Sequence, residues 1–358
     1  MSRPTGATIR LDALRHNLAE VRRRAPGSRV MAVIKANAYG HGIAAVAHAF
    51  RDADAFAVAS LEEALRVRAV GLGNPVVLLE GVFAAEEQKR AAANGFEIVV
   101  HDARQLEWLK QHDGPPLPVW IKVDTGMHRL GFTPQDFRAA YEQIAKLPQV
   151  AGTPRLMTHL AKADERDRAF TARQLQIFDE LTAGLPGERS ISNSAGTLAF
   201  PDAHRDWVRP GLVLYGVSPM EEGDGPSEGL KPAMTVATEL IAVKTMPKGD
   251  VIGYGGRWSA PEETRYGIAA IGYGDGYPRH AANGTPVLVN GERVPMIGRV
   301  SMDMIAVDLR SQPDARPGDR VVLWGEGLPV EEIARAAGTV PYELLCGVTQ
   351  RVNFTVEN

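Results

Sequence analysis

The chain has 358 residues, with 40 Lys and Arg against 43 Asp and Glu for a formal charge of −3, and 44% hydrophobic and 23% charged residues. These are ordinary globular values; they exclude a disordered or fibrous chain and offer no basic stripe for a nucleic acid. The single cysteine, Cys346, excludes an internal disulfide and suits a reducing, cytoplasmic setting, and no window reaches the roughly 20 apolar residues of a membrane span.

The first residues, Met1 to Gly6, lack the apolar stretch of a signal peptide. Helical spacing covers 12–24, after which short β-rich apolar runs alternate with helical patterns. The runs are 29–34, 56–59, 75–79, 97–100, 119–123, 155–157, 189–192 and 212–214. Among the intervening helices, Ser60-Leu61-Glu62-Glu63 reads as a capping box opening a helix over 61–70. Thr133-Pro134 starts another, and 165–182 reads as a long one. Eight strands alternating with helices predict an α/β fold with an N-terminal (β/α)8 barrel over 1–230; a doubly wound open sheet is the competing arrangement. The Gly- and Pro-rich segment 221–231 reads as a linker. Beyond it, strand-like runs at 235–245, 266–271, 285–289, 292–296, 304–309 and 320–324, with a hairpin signal at Asn290-Gly291 and one helix over 329–337, predict a mostly-β domain over 231–358.

The first strand run ends in Ala32-Val33-Ile34-Lys35-Ala36-Asn37-Ala38-Tyr39-Gly40-His41-Gly42. A lysine at the C-terminal end of a barrel strand points to the mouth, where partial burial makes an amine nucleophilic enough for a Schiff base. The alternative is a strand-end lysine whose stem snorkels. Ser192 to Thr197 and Val208 to Leu212 carry small, amide-exposing residues after the seventh run and before the eighth, where barrels often bind phosphate; simple Ser/Gly turns are the other reading. A lysine with a phosphate site fits pyridoxal phosphate (PLP). In Lys122 to Phe132, Arg129 is either a carboxylate clamp or part of a charged surface turn. His159, ending the sixth run, is either structural or catalytic. Tyr254 and Tyr273 stand among glycines, either as phenols turned outward toward a partner or as plain aromatic residues of hairpin turns; as a base, a tyrosine needs cationic neighbours because its ordinary pKa is about 10. None of these residues is read as a metal ligand.

With these residues assembled, the chain resembles bacterial alanine racemase from about Ala7 to Phe354. The resemblance rests on the string at 32–42, Lys-Val-Asp-Thr-Gly-Met-His-Arg-Leu-Gly at 122–131, Asn-Ser-Ala at 193–195 and Arg-Pro-Gly at 209–211. Val-Ile-Gly-Tyr-Gly at 251–255, Gly-Tyr-Gly-Asp-Gly at 272–276 and Gly-Arg-Val-Ser-Met-Asp-Met at 298–304 complete it. It implies a PLP enzyme, barrel plus β domain, that interconverts L- and D-alanine by two-base proton transfer at Cα, supplying D-alanine for peptidoglycan or serving alanine catabolism. By the resemblance Lys35 carries PLP and is one base; Tyr254, reaching into the other subunit's barrel, is the second. Tyr39, Ser194, Gly211 and Leu212 match phosphate contacts, and Arg209 the residue facing the pyridine nitrogen. His159 matches a histidine linking that arginine to the catalytic tyrosine. Arg129 and the Met302 backbone match substrate-carboxylate contacts, Met302 again from the partner of a homodimer. Lys122 matches a lysine often carbamylated in the family, Asn193 belongs to the Asn-Ser-Ala string, and Tyr273 matches an aromatic residue of the substrate channel with Asp303 beside it.

Two positions depart from the family pattern. Gln350 stands where some members have a phosphate-contacting tyrosine, and Ser190 where many have a histidine behind the pyridine-facing arginine. A PLP barrel decarboxylase is disfavoured because its His-Xaa-Gly-Ser motif is missing. A broader amino-acid racemase stays open, and a PLP carrier is disfavoured by the β half.

Overall fold

The computed structural model describes residues 3–358. The chain divides into two compact units, one of residues 15–214 with 219–222, the other of the N-terminal residues through Leu14, residues 215–218 and residues 223–358.

In the first unit eight strands close into a parallel barrel: Arg29–Val33, Ala55–Val58, Val76–Leu78, Glu97–Val100, Val119–Lys122, Arg155–Met157, Arg189–Ser190 and Trp207–Val208. The last returns to the first through Arg29 opposite Trp207 and Val30 opposite Val208. Nearly all strand residues are buried, as expected of parallel strands covered on both faces, which is why they read as continuous apolar runs rather than alternating ones. The helices begin where short polar side chains satisfy free backbone amides. Asp102 Oδ1 accepts from Gln105 N at 2.8 Å and Thr133 Oγ1 from Asp136 N at 3.2 Å. The closed barrel excludes the open-sheet alternative.

The eighth strand is not the predicted 212–214. Arg209 N bonds Ser192 O and Val33 N bonds Pro210 O, so the ladder finishes before Gly211, and Leu212–Tyr215 coils into a buried 3-10 turn. A short, wholly apolar run has no periodicity to separate a buried strand from a buried helical turn. The long helix predicted over 165–182 begins only at Ala169, whose amide is held by Asp167 Oδ1 at 2.9 Å.

The strand starts carry the barrel's structural end. Glu97 Oε2 accepts from Trp120 Nε1 at 2.8 Å and from Arg155 Nη1 at 2.6 Å, and the Trp120 and Trp207 rings meet edge to face at 6.0 Å. The ion pairs and aromatic rings of this end stabilise the barrel, and the opposite rim is left for chemistry.

The second unit is an eight-stranded sheet ordered Thr264–Ala269, Ile305–Asp308, Glu292–Ile297, Pro286–Val289, Arg320–Trp324, Met234–Met246, Gly6–Arg10 and Asn353–Glu357. Met234–Met246 also pairs with Thr264–Ala269, so the first six strands close on themselves. Asn290-Gly291 forms the expected two-residue hairpin loop with both φ positive, between Val289 and Glu292. Gly6–Arg10, Asn353–Glu357 and the helix Pro341–Gly347 were not foreseen. Asn353–Glu357 is exposed throughout and gains its place only by pairing with Gly6–Arg10, some 350 residues away. The expected linker is partly anchored: buried Glu331, on the helix Val330–Ala337, accepts from Ser218 N and Gly225 N, both at 2.8 Å. Among the described residues no helix is long and apolar enough to cross a membrane.

Candidate active site

Because the eight barrel strands are parallel, their C-terminal ends share one rim, and the topology brings the predicted residues to it. Lys35 lies two residues beyond Val33, Lys122 ends its strand, His159 lies two residues beyond Met157, Ser194 opens the helix Ser194–Ala199, and Arg209 directly follows Val208. Arg209 is buried at 4% exposure. It donates to Ser190 Oγ and Thr158 O, each at 2.6 Å, and to Ile191 O at 3.2 Å, with His159 Nδ1 at 3.5 Å from Nη2. Ser190, the departure from the family pattern, thus serves as an acceptor for Arg209. Burial lowers the guanidinium pKa to about 9, which leaves it charged at neutral pH. The cost of burying that charge is offset by three oxygen acceptors. His159 is held well below its ordinary value, first by burial and then by Arg209, Lys122, Arg129 and Lys35, so it is a neutral imidazole.

Residues 36–39 form a left-handed turn, with φ between 52° and 56° at Ala36, Asn37, Ala38 and Tyr39. Four such L-residues in succession cost about 1–2 kcal/mol each. The turn is compensated locally: Ala38 N bonds Ile34 O, Gly40 N bonds Ala36 O, and Asn37 Oδ1 accepts from Ile43 N at 3.0 Å. Glu63 adds an anchor that sequence reasoning missed. Its Oε1 accepts from Ala36 N at 2.7 Å and its Oε2 from Ala59 N at 2.9 Å. The predicted capping box is therefore half formed: Ser60 Oγ caps Glu63 N, but the glutamate turns to the residue after Lys35. The reversed turn buries Tyr39 against Gly211, where a Cβ would lie 2.5 Å from the Tyr39 hydroxyl. Ser194 Oγ accepts from Gly211 N at 2.8 Å, so the Tyr39 and Ser194 hydroxyls both close on the Gly211 backbone, an approach that only glycine allows. Leu212 follows, fully buried. Asn193 braces the cradle, its Oδ1 accepting from Gly196 N at 2.9 Å and its Nδ2 donating to Leu160 O at 3.2 Å.

Lys122 is buried at 7% exposure, and no carboxylate among the described residues pairs with it. Burial first, then Arg209, Arg129 and Lys35, push its pKa down to about 8. The loop that follows is pinned by Asp124, whose Oδ1 accepts from Gly126 N at 2.9 Å and His128 N at 3.1 Å, and by the bond from Phe132 N to Lys122 O. It leaves Arg129 exposed, with no ion pair among the described residues. In bicarbonate-free buffer the folded chain sheds the Lys122 proton near pH 8, whereas the unfolded chain keeps it to about 10.5. The unfolded state then binds more protons across that window, so stability rises with pH by up to roughly 3 kcal/mol. Denaturant titrations should show this rise starting near pH 8, and Lys122→Met should postpone it to about pH 9, where only the buried Arg209 contributes; identical profiles for the two proteins would contradict the assignment.

The remaining predicted residues lie in the β unit. Tyr254 is 68% exposed on the turn Tyr254–Gly256, and Tyr273 and Met302 also face solvent, at 40% and 51%. Tyr273 and Met302 lie on adjacent turns, with Gly274 N bonded to Met302 O at 2.9 Å. Asp303 sits beside Met302, held below the ordinary carboxylate range first by its hydrogen bond from Arg351 and then by Arg3. Gln350 is exposed next to Arg351.

Comparison with known proteins agrees with this arrangement. The profile described as "Alanine racemase, N-terminal domain" matches residues 9–219, and "Alanine racemase, C-terminal domain" matches 233–356. A curated alanine racemase of Nitrosococcus oceani is 55% identical over 353 residues, covering 98% of this chain and 99% of that protein. One of Aeromonas hydrophila is 52% identical over 347 residues, 97% of each. The crystal structure of the biosynthetic alanine racemase from Pseudomonas aeruginosa superposes with a TM-score of 0.97 at 47% identity, covering 99% of this chain and 100% of that one. The structure of alanine racemase from Acinetobacter baumannii gives 0.94 at 37%, with the same coverages. With both halves matched and close relatives aligned over nearly their whole length, the chain belongs to the alanine racemase family.

Proposed function

We propose that the chain interconverts L- and D-alanine with PLP at the barrel rim, using one proton carrier on each face of the substrate Cα: Lys35 of the same chain and Tyr254 of the partner subunit. The reading is carried by the division of groups between the two units: the cationic cluster and the hydroxyl-lined Gly211 backbone lie at the barrel rim, while Tyr254 stands exposed on the β unit. The residues present fit the cofactor. Lys35 offers an amine, and Tyr39, Ser194, Gly211 and Leu212 gather two hydroxyls and backbone amides at one point of the rim, the kinds of group that hold a phosphate. Arg209 offers a fixed cation to a ring nitrogen.

Bound PLP would supply an electron-withdrawing ring that acidifies the Cα–H bond. The protein's part is to hold the alanine carboxylate between Arg129 and the Met302 backbone of the partner subunit, and to move one proton. Lys35 Nζ takes it from one face while the phenol of Tyr254 returns one to the other; the reverse direction exchanges their roles. Arg209 donates without giving up its own proton, which keeps the ring a weak electron acceptor and favours return of the proton at Cα over side reactions. With His159 neutral, the positive charge of the Arg209–His159 pair rests on Arg209. Lys122, with its pKa near 8, has the neutral amine that attacks carbon dioxide; the new N–C bond, with a proton released to water, would place a carbamate beside Arg129. Two copies related by a two-fold axis complete two such sites, each barrel receiving the 231–358 half of its partner. A cytoplasmic enzyme of this kind supplies D-alanine for the cell wall or opens alanine catabolism.

The test is the lysine-bound PLP absorbance band together with racemisation of L- and D-alanine, repeated with serine and lysine. Interconversion of alanine, well ahead of the other two, is expected. Absence of the band, or equal rates on lysine, would overturn the reading.

A further inference from the structure

Two arginines and two aspartates in the β unit form a closed ion-pair square. Arg3 Nη2 donates to Asp275 Oδ2 at 2.8 Å, and its Nη1 to Asp303 Oδ1 at 3.2 Å. Arg351 Nε lies 3.3 Å from Asp275 Oδ1, and its Nη2 donates to Asp303 Oδ1. The Asp275 side chain is fully buried, its Oδ2 held by Arg3 and Gly272 N and its Oδ1 facing the Arg351 charge. Arg3 further donates to Ala270 O at 2.8 Å and Asp303 O at 2.9 Å.

The square is built around the two turns that carry Tyr273 and Met302. Tyr273 N bonds Ser301 O at 3.0 Å and Gly274 N bonds Met302 O at 2.9 Å, which ties the turns together. They approach so closely at Gly272 that a Cβ there would lie 2.2 Å from Ser301 O. Asp275 Oδ2 caps the first turn through Gly272 N at 2.9 Å, and Thr349 Oγ1 holds Gly274 O at 2.9 Å. Tyr273 and Met302 are themselves exposed, so core packing does not orient them; backbone and ion pairs do. Arg3 precedes the strand Gly6–Arg10 and Arg351 precedes Asn353–Glu357, the parallel pair at the sheet edge. Both ends of the chain are thereby locked to the same two turns.

We propose that Arg3, Asp275 and Arg351 are positioning residues: with Asp303 they hold as one rigid surface the Met302 backbone, which meets the substrate carboxylate, and Tyr273 of the substrate channel beside it. This rests on the racemase reading above. An apolar cluster would fill the same space at lower desolvation cost; the hydrogen bonds from Arg3 to Asp275 and from Arg3 and Arg351 to Asp303 instead fix direction as well as distance.

The experiment uses Arg351→Ala and Arg3→Gln holoenzymes, with Arg351→Lys and Asp275→Asn for comparison, and two readouts. Hydrogen exchange followed by mass spectrometry should speed up about tenfold in residues 271–277 and 300–304, and stay unchanged in the ladder between Thr264–Ala269 and Ile305–Asp308. Steady-state kinetics should show KM for alanine raised about tenfold with kcat within about threefold and the PLP absorbance intact, Arg351→Lys recovering part of the loss. Unchanged exchange in both arginine variants overturns the square as the holder of these turns, whatever the activity. Faster exchange with unchanged KM, or with only kcat reduced, overturns its role toward the carboxylate. A wild-type enzyme that does not racemise alanine removes the functional reading instead, and the exchange result still decides the square. Should Asp275→Asn fail to fold, the two arginine variants decide alone.

Discussion

Lys35→Ala is expected to lose the absorbance of lysine-bound PLP and to lower racemisation of both alanine enantiomers by at least about 10³-fold, because one change removes the cofactor's covalent anchor and one of the two proton carriers. The electrostatics of the rim offer an independent check. Lys35 is among the cations that depress Lys122 and His159, so its removal should let the Lys122 pKa climb above about 8. The turn from Ala36 to Tyr39 is held by Glu63, Asn37 and main-chain bonds rather than by the lysine, so the fold should survive. The measurements are the absorbance spectrum, the rate from each enantiomer and the pH profile of stability. A variant that keeps more than about a hundredth of the wild-type rate would remove Lys35 from the chemistry.

Tyr254→Phe should do something different. It deletes one oxygen from a side chain that is two-thirds exposed on its own unit, so folding and PLP absorbance should be unaffected. Racemisation should fall by about 10²–10⁴-fold, the usual worth of a positioned general base. The asymmetry is the informative part. In deuterated water, Cα exchange from the enantiomer whose proton faces Lys35 should persist without inversion, while exchange from the other should collapse. Equal exchange from both enantiomers would sink the assignment of Tyr254 to one face.

Much of the barrel was readable because parallel strands covered on both faces must be apolar throughout, and the polar residue that ends each run, such as Lys35, Lys122 or His159, marks the rim. Asn290-Gly291 was readable for the same kind of reason, since two positive φ values in a two-residue loop leave few choices. What escaped depended on distant partners. Nothing at Ala36 to Tyr39 announces a left-handed turn, because no glycine occupies it and its anchor, Glu63, lies 27 residues away. The same holds for the acceptors of Arg209, supplied by Thr158, Ser190 and Ile191 on neighbouring strands. Arg3 and Asp303, 300 residues apart, carry no local pattern at all. Leu212 to Tyr215 misled because burial alone, without a period, does not specify a strand.

Central to the account is a site shared between two copies, and mixing the two disabled proteins tests it most directly. Lys35→Ala retains Tyr254, and Tyr254→Phe retains Lys35, so a mixed dimer rebuilds one intact site out of its two. After subunit exchange verified by native mass spectrometry, the mixture of two nearly inactive proteins should recover about one quarter of the wild-type racemase activity, since half the dimers are mixed and each restores one site. Mixed dimers that form and stay inactive would contradict the shared site.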